Sequence, residues 1–190
     1  GSVMIFFAVI PLLVGVFGNY LIPLKIGAGD MAFPKLNMLS YWLLPPAILI
    51  VSAGFFLQGG AAASGWTAYA PLSTTLGPGQ VCWIVGVIVL GGSSIMGAVN
   101  YVTTVINLRA PGMGFFRLPL AIWALFITAV IIVMATPVLA SALILLLLDC
   151  TAGTSFFLPA GLIIDGVLQA NTGGQVLLWQ HLFWFYSHPA

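Results

Sequence analysis

Apolar residues in this chain run together in long blocks separated by short connections, rather than alternating with polar ones. A helix crossing the hydrocarbon core of a bilayer needs about 20 mainly apolar residues. Four blocks reach that length, roughly from Val3 to Ile26, Met38 to Leu57, Val81 to Leu108 and Leu118 to Leu148. A fifth begins near Val176 and is still apolar where the sequence stops at Ala190; at about 15 residues it is too short to span. The pattern predicts an all-α, polytopic transmembrane helix bundle with four full spans and a truncated fifth.

Pro11, Pro23, Pro45, Pro46 and Pro137 fall inside the blocks, where packed neighbours can satisfy the backbone groups that proline frees. Gly15, Gly18, Gly86, Gly91, Gly92 and Gly97 let helix backbones approach closely, which favours a tight bundle over separate anchors. Residues 1–190 contain no repeat and no linker, and read as a single transmembrane domain. The opening Gly-Ser-Val-Met-Ile-Phe-Phe lacks the basic start and cleavage site of a secretory signal. The sequence is expected to begin, as well as end, inside a membrane segment.

Composition agrees with the pattern. The chain has four Lys and Arg, three Asp and Glu, and 62% apolar residues, where a soluble domain carries about 25% charged residues. Lys25 and Lys35 flank the first connection and Arg109 and Arg117 the third; the second is uncharged and the fourth carries Asp149 and Asp165. Because Lys and Arg accumulate on the cytoplasmic side, the first and third connections are expected to face the cytoplasm, or the matrix in a mitochondrion. A net charge of +1 with no basic stripe excludes a nucleic-acid partner. Cys82 and Cys150 have no second ligand at metal-binding spacing and read as structural thiols.

Ionisable side chains inside a membrane helix are costly and mark candidate function. His188 lies twelve residues beyond Val176, about 18 Å along a helix, which places it near the bilayer midplane. Its imidazole can bind a metal or haem, or simply hydrogen-bond a neighbouring carbonyl. His181, seven residues earlier and nearer the outer surface, is expected to make a structural hydrogen bond. Asp30 is the only acid in the cytoplasmic connections; it can collect protons for an internal path, or cap a helix or pair with a lysine. Asn19, Asn37, Ser93, Ser94 and Asn100, with Thr103 and Thr104 beyond, can line a water chain or make interhelical hydrogen bonds. Trp184, Phe185 and Tyr186 can wall a planar or metal cofactor, or pack as ordinary core.

Five strings then carry a resemblance: Gly-Asn-Tyr-Leu-Ile-Pro-Leu (18–24), Gly-Asp-Met-Ala-Phe-Pro (29–34), Tyr-Trp-Leu-Leu-Pro-Pro (41–46), Gly-Trp-Thr-Ala-Tyr (65–69) and Gln-His-Leu-Phe-Trp-Phe-Tyr-Ser-His-Pro (180–189). Over essentially its whole length the chain resembles subunit I of cytochrome c oxidase, the catalytic subunit of haem-copper terminal oxidases. The resemblance implies oxygen reduction to water with proton pumping, and His188 as one of three copper ligands, the other two lying on a later helix. It implies Asp30 at the mouth of a proton channel continued by Asn19, Asn37, Ser93, Ser94 and Asn100. It also places Trp66 over the haem propionates and Trp184 beside the copper.

Two haems are implied, with the axial ligands of the low-spin haem outside these residues, so that this stretch alone should neither hold haem nor reduce oxygen. Most members of the family carry glutamate where Ala190 stands. A subset has a Tyr-Ser pair one turn earlier, which Tyr186 and Ser187 resemble as a proton relay. The implied partners are oxidase subunits II and III, cytochrome c or quinol as electron donor, oxygen and membrane lipid. The implied location is a bacterial plasma membrane, with the mitochondrial inner membrane as the alternative. A different class stays open from the residues alone: a polytopic ion or solute transporter using Asp30 and His188.

Overall fold

The computed structural model describes every residue except Asp165, Ala170, Asn171 and Ala190. Among the described residues four helices are long and apolar enough to cross a membrane: α1 (Val3–Ile26), α2 (Pro34–Phe56), α4 (Pro78–Asn107) and α5 (Leu120–Thr151). A short α3 (Leu72–Thr75) lies between α2 and α4, and α6 (Val176–Ser187) ends the chain. The expected all-α bundle is therefore present. An unexpected two-stranded hairpin, β1 (Ile163–Ile164) and β2 (Val167–Leu168), sits in the last connection with Ile163 opposite Leu168.

The helix starts follow from proline chemistry. α2 begins at Pro34 rather than Met38, because Phe33 is non-helical and Pro34 occupies the first turn, where its missing N–H would be unpaired anyway. α2 is interrupted at Leu43, just before Pro45 and Pro46, which cannot donate to the helical ladder. α5 runs on to Thr151, beyond the apolar block that ends at Leu148. Its 32 residues span about 48 Å, more than the thickness of the hydrocarbon core. The first half of α1 is wound in wide turns, with the Ile10 N–H reaching Ile5 and the Phe17 N–H reaching Leu12.

α4 is the central pillar, in contact with α1, α2 and α5. It meets α2 where Gly86 has no side chain; a Cβ there would overlap the Val51 side chain and lie 2.9 Å from the Ala47 carbonyl. Packing divides into two clusters. The first joins Phe6, Trp83, Leu143, Phe157, Trp179 and Phe183; the second joins Ile22, Ile26, Met31, Tyr101, Val105 and Ile122. Large apolar side chains such as Leu49, Phe116, Leu120 and Met134 are exposed, as surfaces facing lipid or further helices require.

The connections meet in pairs. Ala110 N–H donates to the Ile26 carbonyl at 2.9 Å, joining the third connection to the end of α1. Trp179 Nε1 donates to the Thr67 carbonyl at 2.9 Å, joining α6 to the second connection. The four basic residues thus share one end of the bundle, the arrangement that the charge pattern predicts.

Candidate functional site

Two groups of side chains deserve separate construction, one at each end of the bundle. The first is aromatic. Gln175 is extended and α6 starts at Val176, where the sequence pattern places it. Trp179 and Phe183, one turn apart, are buried and stacked with ring centres 5.9 Å apart. Phe157 meets Trp179 edge-on at 5.5 Å.

Trp66, from the second connection, meets Phe183 at 5.7 Å and Trp184 at 5.8 Å, both edge-on, and Phe6 at 6.3 Å. The two tryptophans singled out in the sequence are therefore in direct contact. Such pairs add about 0.5–1.5 kcal/mol each beyond area burial. Trp184 Nε1 donates to the Tyr69 hydroxyl at 2.6 Å, so the polar edge of the indole is satisfied as well.

His188 caps α6, its backbone N–H donating to the Trp184 carbonyl at 3.0 Å. Its side chain is exposed. Tyr186 is half-buried against the aromatic cluster, and the Ser187 hydroxyl is buried without a hydrogen-bond partner among the described residues. The hydrogen bond expected of His181 is not found: the residue is exposed, and among the described residues nothing hydrogen-bonds its side chain. Phe185 is 55% exposed and, among the described residues, has no ring contact with the cluster of Trp66, Phe183 and Trp184. The Ala190 position, on which the comparison with the glutamate rests, lies outside the described residues.

A copper ion needs several nitrogen donors. Among the described residues no group of three His, Cys, Asp or Glu can hold a metal. His188, at the end of the helix that carries Trp184, is exposed and offers a single imidazole.

The second group is polar and lies near the basic end. Asp30 is exposed, and its Oδ1 accepts the Met31 N–H at 2.7 Å; among the described residues it forms no ion pair with Lys25 or Lys35. The next two peptides are pinned to α4: Ala32 N–H donates to Thr104 Oγ1 at 2.9 Å and Phe33 N–H to Asn100 Oδ1 at 2.8 Å. Further along, Ser93 Oγ donates to the Ser40 carbonyl at 2.6 Å, and Ser40 Oγ to the Asn37 carbonyl at 2.8 Å. On α1, Asn19 Nδ2 donates to the Gly15 carbonyl at 2.7 Å; that carbonyl also receives the Tyr101 hydroxyl at 3.1 Å.

The structure thus ties the segment after Asp30 to Asn100 through the Phe33 N–H, and Ser93 to the Asn37 carbonyl only by way of Ser40, while Asn19 shares the Gly15 carbonyl with Tyr101 of α4. Ser94 is half-buried and, among the described residues, no hydrogen bond ties its side chain to the others. Among the described residues, Asn19 Oδ1 and Asn100 Nδ2 are buried without hydrogen-bond partners. Ser40, Tyr101 and Tyr69 were not singled out in the sequence. Ser40 follows Asn37 by about one helical turn, a usable signal; the partner of Tyr101 is set by helix packing, which the sequence does not display.

Comparison with known proteins follows the same lines. The family model described as cytochrome c and quinol oxidase polypeptide I matches residues 1–190. Cytochrome c oxidase subunit 1 of Thermostichus vulcanus is 49% identical over 191 aligned residues, that of Synechocystis sp. 47% over 191, and that of Cereibacter sphaeroides 46% over 194. Each alignment covers 100% of this chain and 32% of the relative, so the chain spans about a third of the length of the curated relatives it matches. The apolar helices and the bacterial relatives together support an integral protein of the bacterial plasma membrane. On the match across all its residues, the chain belongs to the cytochrome c and quinol oxidase polypeptide I family.

Proposed function

We propose that this chain is part of the catalytic subunit of a haem-copper terminal oxidase, in which oxygen is reduced to water and protons are pumped. The observation that carries the reading is His188 at the end of α6, left free by a helix that Trp66, Tyr69 and Thr67 hold in place. Membership of the oxidase family over the full 190 residues supports it; no finding favours an ion or solute carrier. When bound, copper and haem supply the redox chemistry, and the protein's share is position, electrostatics and proton access.

His188 would hold the copper, with Trp184 and Trp66 forming the dry wall around it. Protons would enter at Asp30 and pass Asn100, Asn37, Ser93, Ser94 and Asn19. The unpartnered amide atoms of Asn19 and Asn100 support that role, because a buried polar atom left unpaired costs about 1–3 kcal/mol and water is the group that can relieve it. Tyr186 and Ser187 would carry protons at the inner end, each offering a hydroxyl beside the helix turn that bears His188. Other oxidase subunits, of types II and III, would complete the complex, with cytochrome c or quinol as electron donor.

The test is an optical spectrum and metal analysis of the purified full-length complex. Haem bands and copper are expected; a complex with no copper, or one whose copper survives His188→Ala unchanged, overturns the reading.

A further inference from the structure

We propose that Asp149 is a positioning residue for the helix that carries His188, an inference that rests on the function proposed above. Asp149 is 6% exposed and sits in the last turn of α5. A carboxylate there faces the negative end of the helix dipole, an unfavourable placement by about 0.3–1 kcal/mol. Its surroundings explain why it is nevertheless accommodated. Oδ1 accepts the Thr154 hydroxyl at 2.5 Å and the Phe156 N–H at 2.9 Å, and Oδ2 accepts the Phe157 N–H at 2.8 Å. Both oxygens are engaged, and hydrogen bonds to an ionised acceptor are roughly twice as strong as neutral ones.

The peptides so held are those against which the start of α6 is laid. Gln175 N–H donates to the Phe156 carbonyl at 3.0 Å, and Gly173 and Gly174 N–H donate to the Leu158 carbonyl at 3.0 and 2.7 Å. Gly174 has no space for a side chain, since a Cβ would overlap the Ser155 and Phe156 carbonyls. α6 begins at the second residue after it, and Phe157 is fully buried against Trp179 in its first turn.

The carboxylate therefore fixes the end of α5 to residues 154–157, these to 173–175, and these to the first residue of α6. The bonds from Trp179 and Trp184 hold α6 laterally, whereas this chain of contacts sets its position along its own axis. A metal site tolerates ligand displacements of only about 0.2 Å, and a helix transmits a shift at its first residue to its last.

The experiment uses the full-length oxidase complex with Asp149→Asn, which keeps size but turns one acceptor into a donor facing a peptide N–H. Copper affinity is read by metal analysis after dialysis against a chelator, and copper geometry by the infrared band of carbon monoxide on the reduced protein. The expected result is a subunit that still accumulates, with copper affinity lowered roughly tenfold or more and the band shifted or broadened. Parental copper retention with an unchanged band overturns the proposal. If the variant fails to accumulate, Thr154→Val, which removes a single donor, is read in the same way: a moved band supports the proposal and an unmoved one overturns it. A parent complex without copper sinks the functional reading itself, and is seen before any variant is made.

Discussion

Trp184 and Tyr69 are 115 residues apart in sequence and joined by a 2.6 Å hydrogen bond from indole to hydroxyl. The bond fastens the helix carrying His188 to the connection carrying Trp66, so that the aromatic wall and the candidate copper ligand move as one body.

Tyr69→Phe removes the acceptor and leaves a half-buried indole N–H unpaired. A stability loss of about 1–3 kcal/mol is expected, read as a lower midpoint for thermal loss of the full-length protein's tryptophan fluorescence signal. An unchanged midpoint would show that the bond adds nothing.

Thr104→Val tests how the Asp30 segment is held. The change removes the acceptor of the Ala32 N–H while leaving Asp30 untouched. If the proton path begins at Asp30, oxygen turnover in the full complex should fall several-fold, with the metal content preserved; equal turnover would separate the segment from the path.

Tyr186→Phe deletes only a hydroxyl. As positioned proton donors and acceptors contribute about 10²–10⁴-fold, a drop of roughly tenfold or more in oxygen turnover is expected if Tyr186 relays protons. Unchanged turnover and pumping, measured with an oxygen electrode and a pH probe, would remove it from the relay.

Gly86→Val probes the crossing of α2 and α4. The new side chain meets Val51 and the Ala47 carbonyl, and overpacking of this kind costs about 1–3 kcal/mol. Gly92→Ala, where nothing lies within 4 Å of an added Cβ, is the control and should not lower the detergent-extracted protein's unfolding midpoint; alanine in a helix interior is favoured over glycine by about 0.5–1 kcal/mol.

Much of the fold was legible because the membrane makes length and apolarity decisive. The ends of α1 came out as the residue pattern predicts, and so did the start of α6 at Val176. The start of α2 did not, since its first turn, Pro34 to Asn37, is polar and is set by proline rather than by hydropathy. The hairpin at Ile163–Leu168 was also illegible: two-residue strands leave no alternation to detect.

The sites divide similarly. His188, Trp184 and Trp66 stand out by type and by string. Ser40, Tyr101 and Tyr69 depend on partners from other helices, and the role of Asp149 lies in three donors that the residue pattern does not display.

The wide turns of α1 have a consequence for insertions and deletions. One residue of an ordinary helix corresponds to about 100° of rotation. Removing a residue between Ile5 and Phe17 without tightening the ladder would swing everything before it around the axis. Ser2 would leave Trp83, whose indole it now accepts at 2.9 Å, and Phe6 would leave Trp66. Length in that stretch is therefore a matter of angular phase, and homologous chains that differ there by one residue must rewind the helix to keep the same face inward.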